Sequence, residues 1–111
     1  MARIEITFFA AGNRSREGGT MPVPHALDMR TEALEVAANQ GATSTLSSTQ
    51  PDGSGFVRVL ADADLWVCAG RAPAAAFPAA GEQRPGFRVK AGAATELAVM
   101  AGDRVGVWVA A

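Results

Sequence analysis

Short β-branched runs fill the C-terminal half of this chain, with only a few residues between them. Residues 56–69 read FVRVLADADLWVCA and residues 87–109 read FRVKAGAATELAVMAGDRVGVWV. Val, Leu, Phe and Trp at alternating positions, broken by Ala-Asp or Ala-Gly turns, are how a compact antiparallel sandwich is written. Phe56–Leu60, a tight turn at Ala61–Asp64 and Leu65–Ala69 read as a pair of strands. Val57 and Val59 face one side of the first, against Phe56, Arg58 and Leu60. Leu65 and Val67 of the second oppose Trp66 and Cys68. Phe87–Lys90, Thr95–Met100 and Arg104–Val109 finish the domain as three short strands. The Ala/Pro/Gly-rich connection over residues 70–86 is irregular, with Phe77 expected to anchor it in the core.

The N-terminal half is less regular. In residues 3–9, RIEITFF, Ile4, Ile6 and Phe8 alternate with Glu5 and Thr7, which predicts a half-buried strand. Residues 12–20, GNRSREGGT, hold Gly and charge and no apolar side chain. Such a segment cannot offset its own ordering entropy, about 1–2 kcal/mol per residue. It reads either as an arm that orders on a neighbour or as an ordinary hairpin loop. MPVPH at 21–25 is expected to be extended, because each proline restricts itself and the residue before it. Residues 28–38 satisfy two patterns. Leu27, Leu34 and Ala38 share a helical face that Asp28 could cap, while Glu32, Leu34 and Val36 alternate with Ala33, Glu35 and Ala37. Propensity favours helix. Short connections among strands favour strand, which is the reading adopted. Thr43–Ser47 is expected as a short edge strand, and PDGSG at 51–55 as a turn.

The fold class that follows is all-β: one antiparallel, jelly-roll-like β-sandwich domain over residues 1–111, with an extended N-terminal region. Residues 1–25 are a strand plus an arm. The chain of 111 residues suits one domain. Its composition is 49% hydrophobic, but Ala supplies much of that, with five Phe, two Trp and no Tyr. A core so thin predicts self-association or stabilisation by a partner.

The charges exclude some functions. Ten Lys and Arg stand against eleven Asp and Glu, so no concentrated basic surface exists for counterion release from nucleic acid. The one local cluster, Arg14 and Arg16 with Arg3 near and Glu17 following, reads as a solvated loop or a contact for an acidic partner. No run reaches the ~20 apolar residues of a membrane span, and MARIEITFFAAG is too charged for a secretory signal. The expectation is a protein made in the cytoplasm.

No catalytic, cofactor or metal constellation is expected. His25 is the only histidine and Cys68 the only cysteine. Cys68, within LWVCA, reads as a buried, unreactive small hydrophobe. Asp62 and Asp64 are the best pair for a hard cation, yet turn aspartates bonding their own backbone are far commoner. Gly53 and Gly55 lack the Gly-Lys-Ser/Thr and helix of a phosphate loop. Trp66 and Trp108 could stack on a sugar, but one is expected in the core and the other on a sheet face or subunit contact. Arg88, Lys90 and Arg104 fall on adjacent predicted strands, as outward residues or as the polar rim of a contact. The candidate partner contacts are therefore Arg14, Arg16, Trp66, Arg88, Lys90 and Trp108.

Phe-Val-Arg-Val, then Ala-Asp-Ala-Asp-Leu-Trp-Val, then Gly-Arg-Ala-Pro-Ala-Ala resembles the middle of small β-sandwich structural proteins of tailed bacteriophages. The resemblance continues through the Ala91-Gly92-Ala93 turn, the strand through Leu97 and Val99, and Gly-Asp-Arg-Val-Gly-Val at 102–107. It covers residues 56–109 and rests on packing and turn motifs. It implies a virion component, a capsid decoration (cement) or head–tail accessory protein, whose partners are the major capsid or tail protein and copies of itself. The alternative is a carbohydrate- or receptor-binding module of a phage fibre or cell surface. The 87–107 hairpins also resemble the second motif of a cupin jelly roll. A metal-dependent cupin needs several histidines, from which this chain departs.

Overall fold

The computed structural model describes residues 1–10, 29–50, 55–73 and 76–110. They form β1 (Ala2–Ala10), β2 (Arg30–Val36), β3 (Gly41–Thr43), β4 (Gly55–Ala61), β5 (Leu65–Gly70), β6 (Phe87–Val89), β7 (Thr95–Val99) and β8 (Arg104–Val109). The strands make two four-stranded antiparallel sheets, in the orders β2-β1-β4-β7 and β3-β8-β5-β6. The sheets face each other across one apolar cluster.

Alternation along each strand sets this arrangement. Ile4, Ile6 and Phe8 of β1 and Val57 and Val59 of β4 point inward from the first sheet. Leu65 and Val67 of β5 and Val105 and Val107 of β8 meet them from the second. All nine are at most 1% exposed. Burial of each is worth about 1.5–3 kcal/mol relative to exposure. The core is thus built of Val, Ile, Leu and Phe at period two, with Ala at its margins.

The chain changes sheet at β2→β3, β3→β4, β4→β5, β6→β7 and β7→β8. Counted from β2 and ended on β1, this is the double Greek-key wiring of a jelly roll. β1, first in the chain, fills the slot that the last strand fills in that wiring. Met1, Ala2, Val109 and Ala110 line one shallow cleft, so the two ends of the chain lie side by side.

One long side of the sandwich is closed by polar contacts. β2 is an edge strand, and its register on β1 places Arg30, Glu32 and Leu34 opposite Phe8, Ile6 and Ile4, on the inner face. Glu32 accepts hydrogen bonds from the Thr45 hydroxyl, from Thr45 N at 2.9 Å and from Leu46 N at 2.9 Å. Burial alone would raise the Glu32 pKa, but the bonds from Leu46 and Thr45 outweigh it and hold the carboxyl below its ordinary value. Arg30 donates to Ser47 O at 2.8 Å and lies over the Phe8 ring. On the other flank, Ser44 Oγ accepts from Val105 N at 3.0 Å and donates to Leu46 O at 2.8 Å. Ser48 N donates to Asp103 O, and Ser48 O accepts from Gly102 N. Residues 44–48 therefore strap β2 of one sheet to β8 of the other.

Several sequence expectations change. Residues 30–36 are the strand favoured over the helix. The edge strand expected at Thr43–Ser47 lies earlier, at Gly41–Thr43, because the serines that follow bond to β8 and the 102–103 turn through side chains and isolated amides rather than a ladder. The 56–60 and 65–69 strands are not paired with each other. β4 lies between β1 and β7, and β5 between β8 and β6. Ala-Asp-Ala-Asp lacks the glycine or asparagine that a two-residue hairpin needs for positive φ, and each strand must bury its inner face against the opposite sheet. The last three strands are not neighbours either: β7 joins β4, while β6 and β8 flank β5. Residues 11–28, with Arg14, Arg16, His25, the arm and MPVPH, lie outside the described residues, as does most of the PDGSG turn.

Candidate functional site

The outer face of the second sheet carries most of the residues singled out from the sequence. Register places Gly41 of β3 opposite Trp108 of β8, Trp108 opposite Trp66 of β5, and Trp66 opposite Arg88 of β6. These four positions form one row across all four strands. Trp66 and Trp108 are both half-buried and both on this outer face, so the expected division into one core Trp and one surface Trp is corrected. Period two decides it: Leu65, Val67, Val107 and Val109 take the inner positions, and the tryptophans between them must point out.

Each indole has its own setting. The Trp108 ring lies close against Gly41, where an added Cβ would sit 2.9 Å from Cε3. Only glycine lets the ring rest on the edge strand. Among the described residues, no acceptor meets the Trp108 indole N–H. Trp66 donates its N–H to Pro85 O at 3.2 Å. Gly86, beside it, has φ of 125°, and a Cβ there would lie 2.5 Å from Val67 O, so this close crossing of the chain over β5 also requires glycine.

Phe77 does not enter the core. It meets Trp66 edge-on at 6.0 Å between centroids, and the Arg88 guanidinium lies 4.9 Å from its ring centre. The inner positions are already filled by Val and Leu, so Phe77 anchors residues 76–86 on the outer face instead. Within that segment Glu82 accepts from Arg84 and from Ala79 N at 3.0 Å. The Arg84 hydrogen bond first, then that of Ala79, lowers the Glu82 pKa, and the same pairing raises that of Arg84.

Lys90 is exposed just beyond β6, and its carbonyl accepts from Ala93 N. Arg104 is exposed at the start of β8, opposite Gly70. β5 separates Arg104 from Arg88, so the three basic residues do not form one strip on adjacent strands. Cys68 also points to the outer side and is buried, at 4% exposure.

The first sheet presents a different outer surface. Thr7 bonds Thr31 at 2.8 Å, Arg58 pairs with Glu96, and Phe9 stacks on Phe56 at 5.9 Å under the Arg58 guanidinium. The Thr7, Thr31, Arg58 and Glu96 side chains thus find their partners within the sheet.

The chain matches no family model, no curated protein and no solved structure. Function has to be argued from the residues themselves.

Among the described residues, no group of three or more His, Cys, Asp or Glu is placed to hold a metal ion. Asp62 and Asp64 bond neither a common point nor their own turn. Asp62 Oδ1 accepts from Arg3 N and Asp64 Oδ1 from Ala91 N, both at 2.9 Å. They tie the β4–β5 crossover to β1 and to the β6–β7 turn. The aromatic row offers apolar area, an indole donor that no described residue meets and a cation at its end. That set suits binding, since Trp and Arg dominate the energetics of protein contacts. Sequence reading found the two tryptophans and Arg88 but missed Gly41 and Gly86. Pro-Gly-Phe at 85–87 was a legible turn signal. Nothing in the sequence pairs Gly41 with Trp108 across 67 positions.

Proposed function

We propose that this chain is a non-enzymatic structural protein of a tailed-bacteriophage virion, a capsid decoration (cement) or head–tail accessory protein. It acts by repeated contacts with the major capsid or tail protein and with copies of itself, using neither nucleic acid, membrane nor cofactor. The resemblance over residues 56–109 supplies the class. The observation that supports a docking role is the Trp108–Trp66–Arg88 row on one outer sheet face. Each contact can be weak, because an array of equivalent sites adds avidity.

Quantitative mass spectrometry of purified particles tests the reading. A copy number near that of the capsid protein identifies decoration, a few copies an accessory role, and absence from particles overturns the proposal. Trp108→Ala, which leaves the inner core untouched, is expected to reduce incorporation strongly. The Trp108 N–H, which no described residue meets, beside a second indole also favours the alternative, a carbohydrate- or receptor-binding module. Saturable quenching of tryptophan fluorescence by a saccharide, abolished in Trp108→Ala, would select it.

A further inference from the structure

The four sheet edges are guarded unequally. β3 and β6 are three residues long. β2 turns Arg30 and Glu32 inward and is strapped by residues 44–48. Short edge strands and inward charges are the usual protection against pairing with another chain. β7 has neither. It is five residues, TELAV, without Pro or Gly, and its inward positions are Thr95, Leu97 and Val99.

Its backbone polarity follows from the ladder. Asp62 N donates to Arg3 O on the β1 side of β4, and Ala61 O accepts from Gly92 N on the β7 side. Antiparallel strands alternate these directions residue by residue. Val57 and Leu97 therefore bond each other, while the N–H and C=O of Glu96 and Ala98 point away from β4, where no described residue meets them.

We propose that β7 pairs antiparallel with β7 of a second copy, about a two-fold axis at Leu97, joining two first sheets into one. In this register each Glu96 faces an Ala98, and the outward N–H and C=O groups of both satisfy each other on either side of the axis. Leu97 meets its own copy. The register is self-complementary in charge as well: Glu96 is already held by Arg58 and faces a methyl group rather than a second carboxylate. An apolar cleft of about 260 Å³ opens beside β7, lined in part by Val67, Phe87, Leu97 and Ala98, and the second copy would cover its mouth. One strand pair buries less than the roughly 1,200–2,000 Å² of a stable interface, so the pairing is weak by itself and suited to an array. The inference rests on the multi-copy reading above and names the edge that joins the copies.

Sedimentation of the full chain from micromolar to millimolar concentration tests it. A concentration-dependent dimer is expected. Ala98→Pro removes the N–H aimed at the partner, at an edge position where proline is tolerated. It should weaken the dimer at least about tenfold, a loss of roughly 1.4 kcal/mol, with the circular-dichroism spectrum unchanged. Leu97→Cys in a Cys68→Ala background decides the case if the proline variant does not fold. Facing residues of this kind sit ~4.5 Å apart at Cα, within disulfide reach. Oxidation should give a covalent dimer, and Thr43→Cys on the same background should give none. A dimer indifferent to Ala98→Pro and without a 97–97 cross-link overturns the edge and leaves association by another face. A monomer throughout, with no cross-link, also overturns it, while particle composition still decides the proposed function.

Discussion

The two long sides of this sandwich solve the same problem differently. On the β2–β3 side, Glu32 takes up the amides of Thr45 and Leu46, the Ser44 hydroxyl takes up that of Val105, and the two sheets are sewn together. On the β7–β6 side the described residues form no such strap. β6 covers only Leu65–Val67 of β5, the cleft stays open, and Gly86 crosses so close that no side chain fits. A sheet edge can be closed by polar side chains that bond the chain passing over it, or left as a template for another strand. This protein does one on each side.

The largest expected effect lies on the closed side. Glu32→Ala leaves the part-buried Leu46 amide without an acceptor and the exposed Thr45 amide to water, which should cost about 1–3 kcal/mol and lower Tm by roughly 4–8 °C per kcal/mol. Hydrogen exchange should accelerate at Thr45 and Leu46 while Val67 stays protected. Equal loss of protection at both places would mean that the two sides open as one unit and the comparison fails.

Gly86→Ala probes the open side. Positive φ and contact with the Val67 carbonyl together predict a cost of about 1–3 kcal/mol, with a shift in Trp66 emission as the Pro85 contact is displaced. An unchanged Tm and spectrum would show that the crossing can move freely.

Acid should weaken the closed side. The folded pKa of Glu32 is depressed, so its contribution is fully present above the unfolded value, near 4.5, and is lost as pH falls through the folded value. Glu32→Gln should flatten that part of the stability–pH curve. An identical slope in both proteins would refute the assignment.

The smallest effect is expected from a circular permutant. Linking Ala110 to Met1 by a short loop and opening the chain between β1 and β2 leaves both sides intact and yields the usual jelly-roll order. Its Tm should fall by only a few degrees. Failure to fold would show that β1 must lead the chain.

Much of the fold was legible in the sequence, because period-two alternation survives in every long strand. Ile4, Ile6 and Phe8 alternate with Glu5 and Thr7 and are buried in space, while Val57 with Val59 and Leu65 with Val67 were legible as sharing a face, which the structure turns inward together with Val105 and Val107. The turn chemistry at 61–64 was legible too, but its meaning was not. Alternation states which residues share a face and is silent on which sheet receives them. Pairing β4 with β1 and β7 rather than with β5 is decided by how two faces bury each other, a sum over many distant contacts.

The candidate site divides along the same line. The sequence by itself determined that Trp66, Arg88 and Trp108 lie on strands and that Trp66 and Trp108 alternate with aliphatics. Only the tertiary structure decided that the three occupy one row, that Phe77 lies on that face, and that Gly41 and Gly86 make room for the rings. Facing positions in an antiparallel sheet depend on strand order and register. Those are set by the packing of the whole sandwich, and no local stretch of sequence encodes them.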